Sequence, residues 1–496
     1  MTRHSMILLS CLFWTTVLTT RAQKPEIVVG PNVQVSTAKK NRPHTEVWVA
    51  ANPRDPNHLL GCSIVLSQSP YKGSTIAYVS FDGGRSWTPT LETDEFFMSS
   101  DPGCTIGFDG TAYFVADVRT SPERIFTKVY RSKDGGRTWL PHVDIIYVGR
   151  PSIIVDSTHS KYRGQIYING WGSVRDLDGN GRAAGLTLSR SLNAGESFES
   201  PVIRAPLTNP RHYVNAMGNC VIKSNGNIVC AFSQSNDDSP IEQQVQSVRL
   251  KSDVKVLSSA DGGRSFSDAV IIGTFYMLRR PPGTTNHFPA IAVDTTAGSF
   301  RDRLYLIWPD VASGRSQISF SYSSNGGKTW TRPQTINDDE PFNRADPSQG
   351  PDDFMPVVAV NPDGVVGVMW YDRRHDPKNL GWHVRFRASL DGGETFLPSV
   401  RISEAPAAFE RDEQWPIFYW QSVTGGGSSS KPGGFLNFNL HVTGQLYNGG
   451  DYAGMAAGAD GRFHPFWADN RTGVHQIWTA PVTVKGAVES FRPLRP

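Results

Sequence analysis

The chain has 496 residues, of which 47 are Gly, 34 Pro, 38% hydrophobic and 11% aromatic, a composition that excludes disorder and suits many short strands joined by tight turns. The formal net charge of +3 comes with no basic run or stripe, which excludes nucleic acid as the expected partner. After the N-terminal segment nothing reaches 18 unbroken apolar residues, so no membrane span is expected.

In chain order, residues 1–22 read as a signal peptide: Arg3, an apolar run from Met6 to Leu18, then Thr20-Arg21-Ala22 as a small-residue cleavage site. A lipoprotein signal around Cys11 is the alternative. Either way the protein is expected to be exported, extracellular or periplasmic, and the remainder, residues 23–496, is read as one domain. Pro25–Val29 and Val33–Val35 form an opening strand. Then an eight-residue pattern appears, Ser80-Phe-Asp82-Gly-Gly84-Arg-Ser86-Trp87, and variants return from Ser132, Ser191, Ser259, Ser323 and Ser389. The Asp or Asn folds onto the backbone of its own turn, the glycines accept positive φ and the aromatic packs back on the sheet, so the pattern reads as a hairpin clasp rather than an active site.

The pattern resembles the Asp-box (BNR) repeat of the sialidase-like superfamily, and the resemblance implies a β-propeller. A second recurring unit counts the blades. It is an apolar strand, a turn and a second strand, clearest at His287–Asp310, Asp353–Asp372 and Asp451–Asn470, with further starts near His44, Asp101, Arg150 and Asn215. Seven four-stranded blades are expected, starting near 44, 101, 150, 215, 287, 353 and 451, with six as the alternative. The N-terminal strand is expected to complete the last blade, because an unpaired edge between first and last blades is a liability. Residues 403–447 read as an insertion with a flexible Gly/Ser piece.

Strand parity puts the boxes on one face and the starts of first strands, with the ends of second strands, on the other. That second face collects candidates for chemistry. Glu46, Asp353, Asp451, Tyr452 and His287 are the catalytic candidates, and Arg150, Trp308, Asp310, Asp372, Arg373, Asp469 and Arg471 the substrate-binding ones. Carboxylates, arginines and tryptophans at one mouth suit a sugar, since aromatics stack on its faces and charges orient its hydroxyls. The repeated Trp-x-Asp also reads as a structural device of the blade. Asp176, Asp178 and Asn180 space oxygens as calcium loops do, but Thr187 stands where the bidentate Glu belongs, so a structural calcium and a plain turn stay open. No other cofactor is expected. Cys220 and Cys230 flank the hairpin turn Lys223–Gly226 and are expected to be bridged, which leaves Cys62 to pair with Cys104.

Sialidases hold the substrate carboxylate with three arginines and use a Tyr–Glu nucleophile with an Asp acid/base. Their Phe/Tyr-Arg-Ile-Pro signature is absent here, the nearest stretch being Asn41-Arg42-Pro43-His44, so the resemblance assigns no catalytic residue. The resulting expectation is a monomeric, exported, sialidase-like glycoside hydrolase acting on acidic glycans. A polysaccharide lyase using His287 or His212 with Tyr452, and a non-catalytic glycan- or protein-binding propeller, are the alternatives.

Overall fold

A computed structural model describes residues 24–486 except 69–70, 122–123, 176–181, 201, 207–213, 237–248, 279–287, 344, 347 and 408–448. Six four-stranded antiparallel sheets and one six-stranded sheet follow one another along the chain. They are the blades of a seven-bladed propeller. Blade 1 runs from His44–Ala51 to Thr88–Glu92, blade 2 from Met98–Ile106 to Val143–Ile146, blade 3 from Gly149–Val155 to Val202–Pro206 and blade 4 from Val214–Ile222 to Val270–Leu278. Blade 5 begins with Ala290–Val293, blade 6 with Asp353–Val360 and blade 7 with Gly454–Ala457.

Closure uses both termini. Val33–Gln34 pairs with Gln476–Thr479 as the outer strand of blade 7, and Glu26–Val29 pairs antiparallel with Val482–Lys485. Asn32 strengthens the seam, donating to the carbonyl of Ile402 at 2.8 Å. This removes the edge that an open ring would expose.

The core is distributed between blades rather than gathered at a centre. One cluster joins blades 1 and 2 through Leu60, Phe114 and Tyr130, and another joins blades 4 and 5 through Phe275, Leu306 and Trp308. The largest lies across the seam of blades 6, 7 and 1 and includes Val35 from the N-terminal segment. Each sheet is apolar on both faces because each has a neighbour on both sides.

The boxes act as the clasps expected of them. In blade 1 the Asp82 carboxylate accepts from Ser86 N at 2.9 Å, Ser86 Oγ at 2.6 Å and Ser80 Oγ at 2.8 Å, while Gly83 and Gly84 adopt φ of 75° and 86°. Asn193 and Asn325 reproduce the backbone bond, to Ser197 N at 3.0 Å and Thr329 N at 2.9 Å.

Cys220 and Cys230 lie directly opposite one another in blade 4 and are bridged. The second expected bridge is absent, a correction to the pairing by elimination. Cys62 of blade 1 and Cys104 of blade 2 are buried free thiols in the same cluster, and the Cys104 thiol is directed at the carbonyl of Leu60, 3.4 Å away. No helix of the described residues is long and apolar enough to cross a membrane.

Candidate functional site

The first strands of blades 1, 2, 3 and 6 share an irregularity near their start. Strand register slips between Thr45 and Trp48, Ser100 and Gly103, Gly149 and Ser152, and Phe354 and Val357. At each slip one non-glycine residue takes positive φ: Glu46 at 55°, Asp101 at 50°, Arg150 at 55° and Met355 at 56°. Such a conformation costs about 1–2 kcal/mol per residue, and a bulge of this kind re-aims a side chain out of the regular alternation. Three of the four are ionisable.

Those three converge with the loop that leads into blade 7. The Arg150 guanidinium forms an ion pair with Asp451, and its Nε lies 4.0 Å from Asp101. The same guanidinium covers the ring of Phe288, 4.4 Å from its centroid. Glu46 is anchored by its own amide, which donates to the carbonyl of Gly449 at 2.9 Å. Tyr452 donates to the carbonyl of Pro102 at 3.3 Å, stands close enough to Glu46 for each to shift the other's titration, and meets Trp48 edge-on at 6.2 Å between centroids. Gly450 permits this approach. A Cβ there would come within 2.4 Å of Glu46 N and Thr45 Oγ1.

The electrostatics follow from packing acids together out of water. Burial raises the Glu46 carboxyl well above its ordinary 4.5, and Asp101 and Asp451 reinforce the shift against the opposing pull of Arg150 and Tyr452. Asp101 is raised as well, by burial and by Asp451, with Arg150 opposing. Beneath it Asp117 accepts from Thr127 Oγ1 at 2.7 Å and from Arg150 N at 3.3 Å, and burial with the nearby Asp101 charge lifts its carboxyl too. The Tyr452 phenol is pushed well above 10 by burial, Glu46 and Asp101. Accessibility is uneven: Glu46 is 7% exposed, whereas the Arg150 side chain is 31% exposed.

The sequence expectations divide here. Glu46, Arg150, Asp451 and Tyr452 are brought together, and Asp101, Asp117 and Tyr147 complete the group. Asp101 and Asp117 were legible as residues of the same face without being singled out for catalysis or binding, and Tyr147 gave no sequence signal. Asp353 belongs elsewhere. It is fully buried in blade 6, accepts from Trp370 Nε1 at 2.9 Å, and sits among Asp339 and Asp372, whose carboxylate oxygens with its own lie within 4.8 Å of one another. That spacing is compatible with a metal, but Arg315 pairs with Asp339 and Arg374 with Asp372 at 2.8 Å, while burial and the two neighbouring acids hold the Asp353 carboxyl well above its ordinary 3.8. Two guanidiniums and one retained proton neutralise the trio.

The substrate-binding candidates other than Arg150 turn out to be framework. Trp308 is 1% exposed inside the core of blades 4 and 5, and Asp310 accepts the amides of Tyr276 and Ala312 at 3.0 and 2.9 Å. Asp372 binds Trp370 and Arg374, and the buried Arg373 guanidinium covers Phe354 at 4.7 Å and donates to the carbonyl of Asn379. In blade 7 Asp469 accepts from Trp467 Nε1 at 2.8 Å and from Arg471 Nη2 at 2.6 Å. The Trp-x-Asp-x-Arg run is therefore a blade-internal lock, because an indole N–H beside a carboxylate is satisfied without any ligand. His287, and Asp176, Asp178 and Asn180 of the calcium-like stretch, lie outside the described residues.

No protein-family profile matches the chain, and no curated protein does. Among solved structures it is similar to a protein of unknown function from Dyadobacter fermentans DSM 18053, with TM-score 0.46, 13% identity, and coverage of 92% of this chain and 99% of that one. A Hadza microbial sialidase gives 0.44 and 16% over 82% and 73% of the two chains. A variant of the α-L-arabinofuranosidase from Fusarium graminearum gives 0.44 and 12% over 76% and 99%.

Proposed function

We propose that this protein is an exported glycoside hydrolase whose site is the mouth formed by blades 7, 1, 2 and 3. The observation that carries the reading is the set of three carboxylates, Glu46, Asp101 and Asp451, around one guanidinium. Hydrolysis of a glycosidic bond needs one carboxyl that keeps its proton and one that does not, and packing acids at different depths separates them.

Glu46 is the proton donor. Its carboxyl proton passes to the glycosidic oxygen as the bond from that oxygen to the anomeric carbon breaks. Asp101 takes a proton from the attacking water, whose oxygen forms the new bond to the anomeric carbon. Asp451, ion-paired with Arg150, adds negative charge beside the cationic transition state. Tyr452 orients Glu46. A tyrosine nucleophile fits this mouth less well, because the neighbouring acids resist a phenolate and Glu46 already carries its proton.

The acidic-glycan expectation depends on a cation for the substrate carboxylate, and Arg150 is the guanidinium that acts on both Glu46 and Asp101. The test is release of reducing sugar from a panel of glycosides by wild type and by Glu46→Gln. Turnover by wild type and its loss in the variant supports the assignment. Tight glycan binding without turnover in wild type would instead make the protein a recognition propeller.

A further inference from the structure

We infer that the sugar bound at this mouth is uncharged, so that the substrate class is a neutral glycoside rather than a sialoside or uronide; the inference rests on the hydrolase reading above. Its basis is the charge inventory of the described residues. Glu46, Asp101 and Asp451 act on one another, Asp117 acts with Asp101, and the cation acting on Glu46 and Asp101 is Arg150. Arg150 is already engaged: ion-paired with Asp451, 4.0 Å from Asp101 and stacked on Phe288.

Three other arginines of this face are held inside their own blades. Arg374 pairs with Asp372 and with Asp338 at 2.8 Å, Arg471 with Asp469, and Arg373 is buried against Phe354. Arg119 stands apart from these three: with Arg150 it acts on Tyr147, whereas the cation acting on Glu46 and on Asp101 is Arg150. Among the described residues, a substrate carboxylate reaches the cation acting on these acids by displacing Asp451 from Arg150, and it then lies beside Asp101. Like charges set side by side in a partly buried site repel strongly. Sugar hydroxyls meet the opposite situation, since each is a donor and a carboxylate is an acceptor with several lone pairs. The cationic transition state is favoured by the same excess of acids.

The test combines turnover with binding. Purified full-length protein is assayed against chromogenic uncharged pentosides and hexosides, a sialoside and a glucuronide. Calorimetry then compares a protonated iminosugar with 2,3-dehydro-sialic acid and free glucuronate. The expected result is kcat/KM at least about 100-fold higher for an uncharged glycoside than for either acidic one, with the iminosugar bound and the anions not. Asp451→Asn, which releases Arg150, is expected to gain affinity for glucuronate. Comparable or faster turnover of the sialoside or glucuronide would overturn the inference while upholding the hydrolase. Binding of uncharged sugars without turnover of any substrate would sink the hydrolase and leave the charge selectivity standing. If the anions bind and the uncharged ligands do not, or if nothing binds, the inference is overturned.

Discussion

Arg150 of blade 3 forms an ion pair with Asp451, a residue 301 positions later that leads into blade 7. The segment that carries Asp451 also accepts the Glu46 amide at Gly449 and donates from Tyr452 to Pro102, so contacts from four blades meet there. Replacing Arg150 with Met leaves these acids without their common counter-charge. We expect a loss of about 2 kcal/mol in urea unfolding, partly recovered by adding Asp451→Asn, because removing one partner strands the other. A double variant no more stable than Arg150→Met would show that the pair is energetically silent.

Glu46 gives a pH dependence with a definite sign. Its folded-state pKa is raised, so above pH 4.5 the unfolded chain releases the proton while the native chain keeps it. Stability from this group is full below about 4.5 and is lost as pH rises toward the folded value. Glu46→Gln should flatten that decline and be more stable than wild type on the alkaline side. Its kcat should fall by about 100-fold or more, with the alkaline limb of the wild-type profile gone. An unaltered pH–rate profile in the variant would remove Glu46 as the acid.

Tyr452→Phe separates an orienting phenol from a nucleophile. We expect activity within about tenfold of wild type, since the ring still meets Trp48 and Glu46 still holds its proton. A loss of about 1000-fold with substrate binding retained would restore the tyrosine nucleophile expected of sialidases.

Three buried histidines oppose acid. Burial lowers His44 to about 3 and His464 and His383 to about 4, so each stays neutral in the folded chain while its unfolded counterpart protonates below about 6.5. Their contribution is present above 6.5 and disappears as pH falls toward 4. Unfolding free energy measured between pH 7 and 4.5 should fall less steeply in His464→Gln than in wild type. Equal slopes would mean that His464 does not stay neutral on folding.

The clasps should affect stability and leave turnover alone. Asp391 accepts from Thr395 N at 2.9 Å and Thr395 Oγ1 at 2.6 Å, and two other boxes make the backbone bond with Asn. Asp391→Asn should therefore melt close to wild type, Asp391→Ala lower, and both should keep wild-type kcat. A fall in kcat at unchanged melting temperature would give the box a role that its position on the opposite face does not suggest.

What the sequence determined by itself was everything held by short-range bonds. The six boxes, the Cys220–Cys230 hairpin and the closing N-terminal strand were legible because each clasp or pairing draws on a few adjacent residues or on the need to cover an edge. Blade parity also placed Glu46, Arg150, Asp451 and Tyr452 on one face. Parity could not tell a channel residue from a framework one. Asp372 and Asp469 share that face with Glu46, yet they are consumed by Trp370 and Trp467 of their own strands. The decisive feature was the bulge that turns Glu46, Asp101 and Arg150 out of the regular alternation, a property of φ at one residue that no periodicity records. Only ring closure then set those three against Asp451 and Tyr452, because closing the ring brings blade 7 back beside blade 1.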